Sequence, residues 1–527
     1  MRTRASFIAI AFIVALNCST AAIAQSVSIQ SQTNPAADVV QIPQGSTDKA
    51  LKALPEIIAD VLKRSKVPGL AVAVVSGGKT VFAQGYGKRE LGKDGAVDAG
   101  TVFQIASISK SLSATIAAIA VTDGAVEWND PVIKHMPDFQ LSNSFVSERA
   151  TIGDFFAHRS GLPGTAGDDL EDLGFKRNDV LKRLKLLPLD QFRTSYHYAN
   201  FSTTIGAEAV AAAMHKPWDK LADETLLKPL GMKATSYRFP DFAAKDNRAA
   251  LHAYQNGSFV PLGPRDADEQ APAGGVSSNV IDLAEWLKLL LGNGEYHGKR
   301  LIAEDALLPA LSPQSFSALA HDTSSRSGFY GFGFNVSTEL GGRPSMGHSG
   351  AFLLGAGTAF KIIPSADIGI IVLTNGAPVG AAESVVAQFT DIALYGQSSR
   401  DWFAAYSGVM KGFFTPQGDL SFKERPANPA PAKPLNAYTG IFENSYFGKT
   451  TIKESNGTLV LALGPKQMEF ALQHWDGDVF AFVPVGEAEL VGSLASLNFK
   501  IKQDQAQGFI IDFYNGDGLG QWTKAQP

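Results

Sequence analysis

The sequence predicts a mixed α/β protein in which one sheet is assembled from both ends of a long segment, with helices inserted between, followed by a small all-β module. Three observations predict it. Short apolar strand runs gather near residues 70–83 and return at 329–336, 356–363 and 368–374, while helix and loop signals dominate from about 125 to 300. Four prolines in the eleven residues from Glu424 to Pro434 mark a stiff linker. Beyond that linker the chain changes to short strand-like runs.

Residues 25–48 are polar and carry Pro35 and Pro43, which predicts a flexible lead. Leu51, Leu54, Ile57, Ile58, Val61 and Leu62 then fall on one helical face, and Pro68-Gly69 ends the helix. The apolar runs 70–75 and 80–83 flank Ser76-Gly-Gly-Lys79, a hairpin. An alanine-rich helix spans Ser107 to Val121 and stops at Asp123-Gly124; 203–214 and 280–291 read as further helices. In the last part, Thr451–Glu454 and Thr458–Leu463 flank an Asn456-Gly457 turn, a strong hairpin signal, and short runs continue to Trp522. The resulting division is 1–24, 25–48, 49–397 as the main domain, 398–434 as helix and proline-rich linker, and 435–527 as a small barrel or sandwich.

Of the 527 residues, 45% are hydrophobic and 18% charged, the balance of a folded globular protein. A formal charge of -5 and a pI of about 6.0 leave no basic surplus for nucleic acid. The N-terminus reads as an export signal: Arg2 and Arg4, an apolar run from Phe7 to Leu16, then Ala22-Ile23-Ala24. That run is shorter than the ~20 residues of a membrane span, and no later stretch reads as one. Cleavage after Ala24 places the mature chain in the periplasm or outside the cell. It also removes Cys18, the single cysteine, which excludes a thiol nucleophile and thiolate metal sites.

Three short motifs carry chemistry. In Ser107-Ile-Ser-Lys110 a serine and a lysine three apart share a helix face, where a desolvated amine can accept the serine proton. The first turn of the helix also presents N–H groups to a developing oxyanion. The pattern alone is weak, since Ser46/Lys49 and Ser76/Lys79 repeat it and a helix-capping serine explains it equally well. Tyr198-Ala-Asn200 stands before an alanine-rich helix. Its phenol can shuttle a proton and Asn200 can orient a substrate amide, although a core tyrosine and a capping asparagine are the plain alternative and Tyr254-Gln-Asn256 matches too. His348-Ser349-Gly350 precedes Ala351. Gly350 permits close approach, and the N–H of Ala351 is placed to face that of Ser107.

Together and in this order, the motifs resemble the penicillin-recognising serine hydrolases of the class C β-lactamase type. The separations are 91 and 150 residues. The stretches 151–162, Lys228-Pro-Leu-Gly-Met232 and Pro272-Ala-Gly-Gly275 add to a resemblance over roughly 50–395. It implies an α/β (α+β) sandwich, an antiparallel sheet flanked by helices, with a helical subdomain beside it and the active site between them. The trailing module is similar to lipocalin-like barrels appended to some members. The resemblance implies Ser107 as nucleophile, Lys110 as activator and Tyr198 as proton carrier, with Asn200, His348, Ser349, Gly350 and Ala351 around the substrate. It implies no cofactor and no metal. Which of Lys110 and Tyr198 takes the first proton stays open.

The departure is His348, where lactamases and carboxypeptidases carry lysine. Imidazole, with an ordinary pKa near ~6.5, is largely neutral at pH 7 and gives no fixed charge for a substrate carboxylate. The expectation is therefore amide or peptide cleavage first. Carboxylesterase, β-lactamase or D-alanyl-D-alanine carboxypeptidase chemistry on the same scaffold follows, and a catalytically inactive binder of cell-wall peptides is the alternative of another class. The substrate is a small peptide, amide or ester; oligomeric state is not legible. Gly347-His-Ser-Gly-Ala351 also approximates a nucleophile elbow, but that motif needs a strand before and a helix after its serine, and Gly341-Gly-Arg-Pro-Ser-Met346 reads as a poor strand. The nine histidines show no metal spacing.

Overall fold

The computed structural model describes residues 39–486 and 490–526. The export segment 1–24, with Cys18, lies outside the described residues, as does the lead to residue 38.

Helix α1 (Ser46–Ser65) buries Ala50, Leu54, Ile57, Ile58 and Val61. It packs along α5 (Ala381–Tyr395) on one face of an eight-stranded sheet. The strands are β1 (Gly69–Ser76), β2 (Lys79–Gly87), β3 (Ser315–Ala318), β4 (Gly328–Tyr330), β5 (Asn335–Thr338), β6 (Pro344–Phe352), β7 (Ala356–Ile363) and β8 (Ile368–Thr374). Their spatial order is β2-β1-β8-β7-β6-β5-β4-β3 and every pair is antiparallel. The two ends of the segment thus meet where β1 pairs β8, the sheet's most buried strands.

Strand alternation divides the interior. Leu70, Val72, Val74, Ile370 and Val372 join α1 and α5. Ala71, Ala73, Val75, Phe360, Ile362, Ile371 and Leu373 join the larger core on the opposite face. There lie α2 (Ile108–Thr122), α3 (Asn200–Ala213) and α4 (Val280–Leu291), with shorter helices including Ile152–Phe156. Helix α2 is buried from Ile108 to Ala120. A side chain at Gly206 of α3 would collide with the Phe156 ring, so two helices approach closely there.

Two strand readings are corrected. The run 329–336 is two strands, broken by a turn at Gly333, whose φ is 76°. Residues 344–346, a poor strand by composition, open β6: Pro344 and Ser345 pair with β5, and Met346 pairs with both β5 and β7. Pro344 is its first residue, where a missing N–H is tolerated, and pairing with both neighbours outweighs weak propensity. The short edge strand β3 had no sequence signal that set it apart.

Beyond the helix Trp402–Met410 and the proline-rich segment, eight strands between Gly440 and Lys524 close into an antiparallel barrel. Closure removes the unpaired edges a small sheet would expose. The interior is filled by packed rings: Tyr438 lies 4.6 Å from Phe499, and Phe509 5.1 Å from Trp522, centroid to centroid. The barrel sits on the helical part of the main domain. Arg183 donates to the carbonyls of Ser445 (2.9 Å) and Tyr446 (2.7 Å), and Leu170, Leu173 and Phe175 share one apolar core with the barrel aromatics. No helix among the described residues is long and apolar enough to cross a membrane.

Candidate active site

Ser107 stands at the N-terminus of α2 but its side chain makes no capping bond. Its hydroxyl instead meets the Lys110 amine at 3.1 Å and faces the Tyr198 phenol. The preceding Ala106 is buried with φ 47°, a left-handed conformation that costs a non-glycine residue about 1 kcal/mol or more. That turn is held by Ser109, whose hydroxyl donates to the Ala106 carbonyl (2.6 Å) and accepts from the Val276 N–H (3.1 Å).

Lys110 is 0% exposed. Its amine donates to Asn200 Oδ1 at 2.7 Å and to the Ala273 carbonyl at 2.9 Å. Both partners only accept. An uncharged amine has two N–H bonds and one lone pair, so these carbonyls use the two N–H bonds and leave the lone pair facing the Ser107 O–H. Burial pulls the Lys110 pKa down to about 7, against an opposing pull from Asp168. The Tyr198 phenol is pushed up, mainly by burial, so it stays protonated at neutral pH. The Lys110 amine also lies 4.5 Å from the centre of the Tyr198 ring.

Asn200 is the first residue of α3 rather than its cap. Both ends of its amide are engaged: Oδ1 by Lys110, Nδ2 by Asp168 Oδ2 at 3.1 Å. The rival motif copies serve structural ends. Ser46 and Lys49 donate to the Ala393 and Gly396 carbonyls at the end of α5. Ser76 and Lys79 face each other across the β1–β2 turn, and Asn256 forms a hairpin turn with φ 49°.

Strand β6 brings the third motif to the cleft. Its pairing with β5 ends at Gly347, so from His348 to Phe352 its only ladder among the described residues is with β7. A Cβ at Gly350 would stand 2.4 Å from the Ile105 carbonyl and 3.0 Å from the Ser107 nitrogen, so strand edge and helix start abut. His348 and Gly350 are buried on the Ser107 side. Ser349 and Ala351 alternate to the other side, where the Ser349 hydroxyl faces Glu383 of α5. The Ser349 side chain thus leaves the strand on the face opposite His348 and Gly350.

Both ring nitrogens of His348 are occupied. Nδ1 lies 2.6 Å from the Ser349 carbonyl and so must carry a proton; Nε2, 2.9 Å from the Tyr330 hydroxyl, accepts from it. Burial and the neighbouring Lys110 push the His348 pKa down to about 3, leaving a neutral ring with no N–H for a substrate. His158 completes the wall, its ring 4.6 Å from Tyr198 and 5.1 Å from Tyr330. Its Nδ1 accepts the Ala199 N–H at 3.4 Å. Sequence reasoning did not single out Asp168, Tyr330 or the Ala273 carbonyl. The last sits in 272–275, a stretch noted only as habitual.

The Beta-lactamase family profile matches residues 54–394, and a domain of unknown function, DUF3471, matches 424–517. The chain is 26% identical over 421 residues to "Unguisins hydrolase ungD'" of Aspergillus campestris, covering 75% of this chain and 76% of that one. It is 24% identical over 490 residues to "Unguisins hydrolase ungD" of Aspergillus violaceofuscus, covering 82% and 83%. "Protein flp" of Staphylococcus aureus is 25% identical over 252 residues, 46% of this chain and 50% of that protein. Among solved structures, the octameric penicillin-binding protein homologue from Pyrococcus abyssi superposes with a TM-score of 0.57 over 90% of this chain and 100% of its own, at 17% identity, a likeness of fold.

Proposed function

The chain belongs to the Beta-lactamase family, whose members are serine hydrolases, and from that premise we propose that it cleaves an amide or peptide bond through an acyl-enzyme on Ser107. The observation that carries this reading is the Ser107 hydroxyl standing between an uncharged-leaning amine, whose two N–H bonds are used by carbonyls, and a protonated phenol.

The proton path follows. Ser107 Oγ bonds to the substrate carbonyl carbon as its proton passes to Lys110 Nζ. Charge gathers on the carbonyl oxygen, near the Ser107 N–H and the β6 edge, with Ala351 supplying the second N–H. The C–N bond then breaks; the leaving nitrogen takes the Tyr198 proton, and Lys110 passes the proton it took from Ser107 on to Tyr198. Water attacks the ester so formed, returns its proton along the same groups and releases the acid. An ester substrate runs the same steps with an alcohol leaving.

The test is covalent. A fluorophosphonate should attach to the folded protein, and peptide mass spectrometry should map the adduct to Ser107. Folded protein that takes no adduct would favour the inactive peptide-binding alternative.

Substrate choice turns on His348. A neutral ring with both nitrogens used offers no charge to a β-lactam carboxylate. Nitrocefin turnover by the wild type should therefore be slow beside amides or p-nitrophenyl esters. His348→Lys should raise it by about tenfold, the worth of one charge-assisted bond. Rapid nitrocefin turnover by the unaltered enzyme would refute the missing-charge argument.

A further inference from the structure

The lone pair of Lys110 faces Ser107 only while Asn200 presents its carbonyl oxygen to the amine. An amide turned end for end would present N–H groups instead, and these would take the lone pair for themselves. Lys110 cannot prevent that turn, because an uncharged amine can bond either end. The group that can is on the far side of the amide. Asp168 Oδ2 accepts from Asn200 Nδ2 at 3.1 Å. A carboxyl oxygen there satisfies an N–H and would face the Asn200 carbonyl unfavourably if the amide were reversed.

We infer that Asp168 is a positioning residue for this reaction, fixing the Asn200 amide so that Lys110 receives a carbonyl and keeps its lone pair for Ser107. The inference rests on the acyl-enzyme reading above and deepens it. The place of Asp168 is itself built. Gly167 turns the chain with φ 87°, and a Cβ there would stand 2.7 Å from Val180 and 2.8 Å from Phe201, the residue after Asn200. The Tyr446 phenol of the barrel is hydrogen-bonded to the Gly167 backbone, and Arg183 ties the barrel to this face. The appended barrel thus backs the segment that backs the amide.

The other oxygen, Asp168 Oδ1, is buried with no hydrogen-bond partner among the described residues. A bare carboxylate would leave that charge unsatisfied. Burial first, then Glu171 and Asp172, push the Asp168 pKa well above the carboxylate range, against Arg265 and the Asn200 bond. The Asn200 N–H holds the other oxygen, Oδ2, as its acceptor.

The experiment measures the rate constant for fluorophosphonate attachment at Ser107 in the full-length chain, with thermal melting to confirm folding. Asp168→Leu, which removes the acceptor, should slow attachment by about tenfold or more, the rate equivalent of ~1.4 kcal/mol. Asp168→Asn, which keeps an acceptor oxygen at the same reach, should stay within about threefold of wild type. Asp168→Ala, which cannot overpack the site, carries the same expectation as the leucine variant and stands in for it if that does not fold. Leucine or alanine variants that react at the wild-type rate overturn the inference. So does an asparagine variant as slow as they are. A wild type that never reacts at Ser107 removes the acyl-enzyme reading first, and that result is distinct from a reactive wild type beside an equally reactive leucine variant.

Discussion

Lys110→Met should lower kcat/KM by roughly 10³–10⁴-fold, the upper range of what one positioned base contributes. Methionine matches the length of the stem and fills the same space without the amine. What disappears is the acceptor for the Ser107 proton; Tyr198, held protonated by burial, cannot take it over. Stability should change far less. The variant leaves Asn200 Oδ1 and the Ala273 carbonyl without their donor, at about 1–3 kcal/mol each, but no longer buries an amine that water would solvate better.

The pH dependence separates the two effects. The folded amine titrates at about 7, while an unfolded lysine titrates near ~10.4. Between those values the unfolded chain binds more protons than the folded one, so this group makes stability rise with pH from about 7 toward 10. Below the folded value both states are protonated and its contribution stays at its least favourable. The melting temperature of wild type relative to Lys110→Met should therefore increase between pH 7 and pH 9. Wild-type kcat/KM should fall as pH drops below about 7, as the amine takes up a proton and loses its lone pair. A variant retaining a tenth of wild-type activity, or a melting difference flat across that window, would mean the amine is not the base described.

The sequence exposed the parts of this site that are local. Ser107 and Lys110 lie one turn apart, so their spacing alone places them on one helix face; Asn456-Gly457 marks its hairpin for the same reason. The β1–β8 pairing was legible because both strands are continuous apolar runs. The parts that were hidden depend on chain brought from far away. The Ala273 carbonyl lies 163 positions from Lys110 and is a backbone atom, which no residue identity can announce. Tyr330 and His348 are 18 apart, but the tyrosine reaches the imidazole only because β4 and β6 flank β5 in one sheet. Asp168 stands among Asp169, Glu171 and Asp172, and nothing local in the sequence tells these carboxyls apart; the turn at Gly167 and the approach of Phe201 bring Asp168 to the Asn200 amide. Strand β6 was half legible. Its glycines and proline argue against a strand, and its two neighbours make it one.

Gly350→Ala tests how close that strand must come. Gly350 is not in the left-handed region, so alanine is allowed by its backbone and only space is at issue. The added methyl would stand 2.4 Å from the Ile105 carbonyl oxygen and 2.4 Å from Thr358 Oγ1. Neither can swing aside freely, because Thr358 is bonded to that same carbonyl at 2.9 Å and the carbonyl belongs to the turn before Ser107. Relief must come from parting the β6 edge from the start of α2, at a cost of about 1–3 kcal/mol in stability. A displacement on the order of 1 Å there moves the Ser107 N–H away from the strand edge where the oxyanion forms, worth roughly 10²-fold in acylation. Ser349→Ala is the control one residue away. Its hydroxyl lies on the Glu383 side of the sheet, so its loss should leave acylation near the wild-type rate. Acylation unchanged by Gly350→Ala, or reduced as strongly by Ser349→Ala, would place the oxyanion somewhere other than between β6 and α2.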